Sequence, residues 1–202
     1  IPGSKQSIKD LETLNRTGLT NQIKNYVSKG GNVFGICGGL QMLGMKLEDP
    51  QKIESNIDIN SSSYSGMELL PIKTIFREEK QNSQREEMMT WPQIEIVNGF
   101  EMHHGESKLI NNQAKQIAKP LFQEKSLGWV IENKDQSFIG GTYLHGVFDN
   151  GKWRRHFINK IRKRKGLEKL TLNQENHNQK REKLLDLLTD AFEQNINLDK
   201  AI

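Results

Sequence analysis

Val33-Phe34-Gly35-Ile36-Cys37-Gly38-Gly39-Leu40-Gln41-Met42-Leu43-Gly44 runs from apolar residues through a glycine-rich turn into a second apolar segment. The order predicts a short strand, a tight turn and a short helix. Such a turn lifts one side chain out of the end of a sheet, and flanking glycines permit both the turn and close approach of a substrate. The side chain lifted here belongs to Cys37, the one cysteine in 202 residues. At the start of a helix, free N–H groups and the helix dipole favour thiolate. The N–H of Gly38 points where an oxyanion would form.

A lone cysteine in apolar surroundings is commonly a small buried hydrophobe, so Cys37 decides nothing by itself. A partner is available in Gly140-Gly141-Thr142-Tyr143-Leu144-His145-Gly146-Val147-Phe148, where a strand-like run ends at a histidine. Cys37 and His145 are far apart in the chain, as a nucleophile and its base usually are.

Working outward, Ser7 reads as an N-cap with Asp10 three residues on, and Ile8, Leu11 and Leu14 share one helical face. Leu19, Ile23, Tyr26 and Val27 follow at helical spacing, closed by Gly30-Gly31. The serine-rich stretch 57–65 predicts a loop and 66–76 a strand. Residues 77–90 are charged and poorly periodic, which predicts an exposed connection. Ile94-Glu95-Ile96-Val97 alternates like a strand. Two more strands are expected over 127–131 and 138–144, with Asn133-Lys134-Asp135 as the turn. Helices are expected over 150–165, on Trp153, Phe157, Ile158 and Ile161, and over 179–195, on Leu184, Leu188, Ala191 and Phe192.

Composition narrows the function classes. Apolar residues make up 34% and charged residues 27% of the chain, enough for one domain of ordinary core size. No apolar run reaches membrane-spanning length and no signal-peptide pattern opens the chain, so a membrane partner is not expected. One cysteine excludes an intramolecular disulfide, and a free thiol suits a reducing cytoplasm. The net charge of +4 comes largely from Arg154, Arg155, Lys160, Arg162, Lys163, Arg164 and Lys165. Without interleaved aromatic residues or glycine, that block reads as a solvated helix face rather than a nucleic-acid surface. His103-His104 does not read as a metal site: neighbouring strand side chains point to opposite faces, and no further ligand stands at a usual spacing.

The segment 35–44 resembles the nucleophile segment of class I glutamine amidotransferases. Pro2-Gly3-Ser4-Lys5 with Asp10-Leu11, Gly99-Phe100-Glu101-Met102-His103 and Gly141-Thr142-Tyr143-Leu144-His145-Gly146 are similar to the signatures of the cobyric acid synthase family. The resemblance runs to Leu198-Asp199. It implies an α/β, flavodoxin-like doubly wound sheet with helices on both faces. It implies catalysis by Cys37 and His145, oxyanion donors from Gly38 and the Gly3–Ser4 backbone, and contacts to L-glutamine from Gln41, Glu101 and His103. Leu40 stands where many relatives have tyrosine, and Val147 where many class I members have a glutamate that orients the histidine. The domains expected are 1–165, an amidotransferase domain, and 166–202, a polar linker and a helix packing on or extending it.

The chain opens Ile1-Pro2-Gly3 without methionine, as if a strand ended there, so it is expected to be a piece cut inside its amidotransferase domain. The resemblance implies a synthetase domain before it, holding ATP and Mg2+ and presenting a corrinoid acceptor, adenosylcobyrinic acid a,c-diamide. Three alternatives stand beside this: cobyrinate a,c-diamide synthase, the cell-wall amidotransferase acting on lipid II, and an inactive scaffold that kept the fold.

Overall fold

Val33–Ile36 forms strand β1, and the last strand of its sheet, β8 (Phe138–Thr142), lies parallel to it with Gly35 opposite Gly141 and Ile36 opposite Thr142. The Cys37 N–H then donates to the Thr142 carbonyl at 2.8 Å. Two segments distant in sequence therefore end side by side, at the carboxyl ends of parallel strands where α/β sheets bind ligands. The computed structural model describes residues 1–54, 61–111 and 117–195.

This sheet has four strands in the order β1-β8-β7-β6, where β7 is Gly128–Glu132 and β6 is Lys119–Pro120. The β7–β8 hairpin turns at the predicted Asn133-Lys134-Asp135, closed by Asn133 N–H to the Ser137 carbonyl at 2.8 Å. Ile1 hydrogen-bonds to Phe34 and Ile36 of β1, so the loop that follows, Gly3–Ser4, arrives beside Cys37. Three helices accompany the sheet: α1 (Ser7–Arg16), α2 (Leu19–Ser28) and α3 (Gly38–Leu43). Helix α1 buries Ile8 and Leu11 as expected. Its N-cap is Gln6, not Ser7; Ser7 is the buried first residue, and its hydroxyl turns inward instead of capping.

A second sheet has five strands in the order β3-β2-β4-β5-β9: β2 is Lys46–Glu48, β3 Ser63–Ser65, β4 Ile72–Met89, β5 Glu95–Leu109 and β9 Leu144–His145. Strand β9 places His145 opposite Phe100 and Leu144 opposite Glu101 on β5. The expected loop over 57–65 lies partly outside the described residues, and its Ser63–Ser65 end is β3. The expected exposed connection over 77–90 is instead most of β4, paired antiparallel with β5 out to Met89 opposite Glu95. Its side chains are polar on both faces, so no alternation marks it, and the cross-strand ladder supplies its order.

The α/β class holds. The parallel pairs among the described residues are β1–β8 and β2–β4; the other pairings are antiparallel. Leu40, Leu43, Leu47, Met67, Leu70, Ile72, Phe76, Phe122 and Tyr143 are almost fully buried. At roughly 2 kcal/mol for each large side chain, such a core carries most of the fold's stability.

The chain forms two compact units, Ile1–Gly146 and Val147–Ile202. The second holds helix Gly151–Arg164, whose Trp153 and Phe157 pack with Phe148 at ring separations of 5.2 and 5.1 Å. It also holds helix His177–Asn195, on which no residue is buried. No helix among the described residues is long and apolar enough to cross a membrane.

Candidate active site

Cys37 sits in the turn between β1 and α3 with φ +50° and ψ −110°. Few non-glycine residues hold such angles, and the strain marks a side chain aimed for use. The glycines around it are required by close backbone contact. A Cβ on Gly35 would stand 2.5 Å from the carbonyl carbon of Gly39, and one on Gly39 would stand 2.3 Å from the Ile1 carbonyl oxygen.

The thiol does not rest as a thiolate. Burial pushes Cys37 up to about 11, against the opposing pull of the Gly38 N–H, and the Glu54 carboxylate adds to the rise. This reverses the expectation from the helix dipole: α3 is six residues long and cannot offset desolvation. The neutral thiol donates to the Met102 carbonyl at 3.4 Å.

His145 faces the same place. A Cβ on Gly3 would be 3.5 Å from His145 Cε1 and 3.6 Å from Cys37 Cβ, so the two side chains flank one point. The Met102 carbonyl also takes a hydrogen bond from the His145 ring. A carbonyl only accepts, so the bonded nitrogen carries the proton. The other nitrogen, Nε2, is buried without a partner among the described residues, a bare base. The Phe100 ring stacks on the imidazole, with centroids 4.9 Å apart and planes 10° from parallel. Together a main-chain carbonyl and an aromatic face orient His145, where Val147 left the carboxylate of other class I members unaccounted for. Burial holds His145 below the ordinary histidine value; the Met102 bond opposes this, and the charge of His103 reinforces it.

A cavity of about 650 Å³ opens over this pair, bordered by Gly3, Ser4, Lys5, Cys37, Gln41, Glu54, Lys80, Met102, His103, His104 and His145. The predicted Gly3 and Ser4 are thus brought to the nucleophile. Ser4 Oγ donates to Asp10 at 2.6 Å and accepts from Gln6 N–H, pinning that loop. Gln41 is buried with both ends engaged: its carbonyl accepts from Ser7 Oγ at 2.8 Å, and its amide donates to the His104 carbonyl and Tyr143 hydroxyl. Glu101 is not brought to this cavity. It borders a second one, of about 500 Å³, with its oxygens turned to Arg85 and His103. His103 borders both.

Sequence reasoning missed Phe100, Met102, Glu54, Lys5 and Lys80. Glu54 accepts from the Ile8 N–H at the start of α1 and lies 3.5 Å from the Ser7 hydroxyl, whose proton goes to Gln41; burial raises it to about 7 despite the Ile8 bond. No group of three His, Cys, Asp or Glu that could hold a metal ion occurs among the described residues.

A model of the CobB/CobQ-like glutamine amidotransferase domain matches residues 1–153. The chain belongs to this family. It is 65% identical over 199 residues to a protein named cobyric acid synthase from Prochlorococcus marinus (strain NATL2A), covering 98% of this chain and 39% of that one. It is 45% identical over 204 residues to one so named from Synechococcus sp. (strain CC9311), covering 98% and 40%. It thus spans about two fifths of the length of these relatives. A crystal structure of a glutamine amidotransferase is similar at 10% identity and a TM-score of 0.47, over 71% of this chain and 67% of that one.

Proposed function

We propose that this chain is the glutamine-hydrolysing part of a cytoplasmic cobyric acid synthase and releases ammonia for amidation of corrinoid carboxylates. The observation that carries the chemistry is the meeting of Cys37, just past the end of β1, and His145, on β9, over a cavity that the Gly3–Ser4 loop also borders. Identity to relatives bearing that name supports the acceptor. In this reading ATP and Mg2+ act in a domain outside these residues, and no step here passes through them.

Nε2 of His145 takes the thiol proton as sulfur attacks the side-chain carbonyl of glutamine. The N–H of Gly38 and the backbone of the Gly3–Ser4 loop hold the oxyanion. The imidazolium then protonates the departing nitrogen, ammonia leaves, and a glutamyl thioester remains on Cys37. Water attacks the thioester while His145 takes its proton, the imidazolium passes that proton to the departing Cys37 sulfur, and glutamate is released with both groups neutral again. Because thiol and imidazole both rest neutral, the pair needs no preformed ion.

Glutamine carries an α-ammonium and an α-carboxylate. Glu54 offers the cavity's carboxylate, and Lys5 and Lys80 its ammonium groups. Gln41 and His103 also border the cavity. Glu54→Gln is expected to raise KM for glutamine about tenfold and to change kcat little, since the α-ammonium is far from the reacting bond. In the wild type, protonating Glu54 removes its charge, so KM is expected to rise as pH falls through about 7. Steady-state kinetics across that range check both; a KM indifferent to pH and to the substitution rejects this role for Glu54.

The whole reading is tested by measuring glutamate formed from glutamine, then by joining the chain to its synthetase portion and following a corrinoid acceptor by mass. Stepwise amidation fuelled by glutamine is expected. No glutamate formed would remove the enzyme reading, and glutamate formed without corrinoid amidation would remove the acceptor.

A further inference from the structure

We propose that Lys80, turned into the cavity by a bulge in β4, takes the α-carboxylate of glutamine and makes the site selective for an amino acid over a plain amide. This rests on the glutaminase reading above.

The pairing of β4 with β5 breaks at this place. Ile75 pairs with Glu106 and Lys80 with His104, so five steps along β4 face two along β5, and β4 holds three extra residues. Bulges beside active sites re-aim side chains. This one is fixed from the facing strand. Gly105 has φ +85°, and a Cβ on it would stand 2.8 Å from the Ile75 carbonyl oxygen and 3.0 Å from Phe76 Cα. The His104 ring meets the Arg77 carbonyl at 3.2 Å. Without the extra residues, Arg77 would stand opposite His104; with them Lys80 does. Neighbouring strand side chains then point to opposite faces. Glu79 and Gln81 border the second cavity, while Lys80 borders the one over Cys37.

The distances suit the substrate. The Met102 carbonyl accepts from both Cys37 and His145, so Met102 marks the reacting end of the cavity. His104 lies two residues further along β5, about 7 Å on an extended strand, and Lys80 is its cross-strand neighbour. Extended glutamine measures about 5 Å from its amide carbon to its carboxylate carbon. The difference is within the reach of a lysine, a compact charge on a flexible four-carbon stem. Lys5 instead follows Gly3 and Ser4, the loop given to the oxyanion, and belongs to the amide end.

The charges around Lys80 leave it available. It is exposed, and among the described residues its ammonium makes no hydrogen bond or ion pair. Glu78 is an exposed residue of the bulge. Arg77, Glu79 and Glu106 border the second cavity, and Glu106 pairs with Lys108 at 2.7 Å. Of the described residues bordering the first cavity, Glu54 is the carboxylate, held at the start of α1 by the Ile8 N–H and assigned above to the α-ammonium. The two charges of the zwitterion thus meet opposite charges on two separate segments.

The test compares glutamine with 4-aminobutanamide, which is glutamine without its α-carboxylate, as substrates of the wild type, Lys80→Gln, Lys80→Arg and Lys5→Gln. Wild type is expected to favour glutamine in kcat/KM by at least about tenfold. Lys80→Gln is expected to raise KM for glutamine about tenfold with kcat little changed, and to leave kcat/KM for 4-aminobutanamide within about twofold of wild type. Lys80→Arg keeps the charge and is expected to hold KM for glutamine within about threefold of wild type. Added salt is expected to raise KM for glutamine more in wild type than in Lys80→Gln. Equal losses on both substrates in Lys80→Gln, or a KM for glutamine unmoved by it, overturn the role of Lys80. Selectivity lost in Lys5→Gln and kept in Lys80→Gln overturns it as well. A wild type that hydrolyses both amides equally well overturns the carboxylate site and leaves the glutaminase reading standing, whereas one that hydrolyses neither removes that reading.

Discussion

Cys37→Ala is expected to abolish glutamine hydrolysis, lowering kcat by at least about 1,000-fold, with the fold retained. Sulfur is the atom that bonds to carbon in the reaction, and no other described residue near His145 Nε2 offers a replacement. Oxygen is a poor one: in a site that already pushes a thiol up to about 11, a serine hydroxyl would be harder still to deprotonate. Cys37→Ser is therefore expected to be as inactive as the alanine variant. The fold should survive both, because the side chain is small and the hydrogen bond it donates, to Met102, is weak. The same buried thiol is expected to react with iodoacetamide at neutral pH more slowly than free cysteine, and faster as pH rises. In the protein joined to its synthetase portion, added ammonia should restore amidation to the alanine variant, since only the nitrogen source is lost. Glutamate formation by Cys37→Ala at a rate near wild type would end the nucleophile assignment. Rapid alkylation at neutral pH would show that the thiolate is preformed.

The residues that sequence exposes best are those whose constraint is local. Gly35, Gly38 and Gly39 had to be glycine because backbone crowds each one, and that crowding is written in the sequence as a motif. His145 was legible because a strand leads to it, and the parallel β1–β8 pair does the rest. What stayed hidden depends on atoms that residue identity does not specify. The Met102 carbonyl is a main-chain group, and any residue there would present it. Phe100 gave no sign that its ring would lie on His145, since that follows from the β5–β9 register. Strand β4 was unreadable because neither face of most of its length is buried, so hydrophobic periodicity vanished while hydrogen bonding remained. The thiolate expectation failed on magnitude: a helix end was recognised, but the desolvation of a nearly buried sulfur outweighs a six-residue dipole.

Gly38→Ala is expected to lower kcat by about 100- to 1,000-fold while changing KM for glutamine far less. On helix propensity alone the substitution should help, since alanine favours a helix over glycine by about 1 kcal/mol. Sterics decide otherwise. The new Cβ would stand 2.8 Å from the Ser4 backbone nitrogen and from Ser7 Oγ, and 2.9 Å from Ser4 Cβ. None of these can yield freely. Ser4 is held through its hydroxyl to Asp10 and Gln6, and Ser7 is hydrogen-bonded to the buried Gln41. The Gly3–Ser4 loop must therefore move away from the turn, which separates the two sets of N–H groups assigned to the oxyanion. That charge exists in the tetrahedral intermediate and not in bound glutamine, so the loss falls on kcat rather than on KM. Crowding of this kind should also cost about 1–3 kcal/mol of stability, visible as a lower denaturation midpoint. Kinetics and denaturant melts on the same preparation separate the two effects. A Gly38→Ala protein with kcat within about threefold of wild type would show that the loop is not part of the oxyanion cradle. A fall in kcat matched by an equal fall in folded fraction would place the damage in folding and not in catalysis.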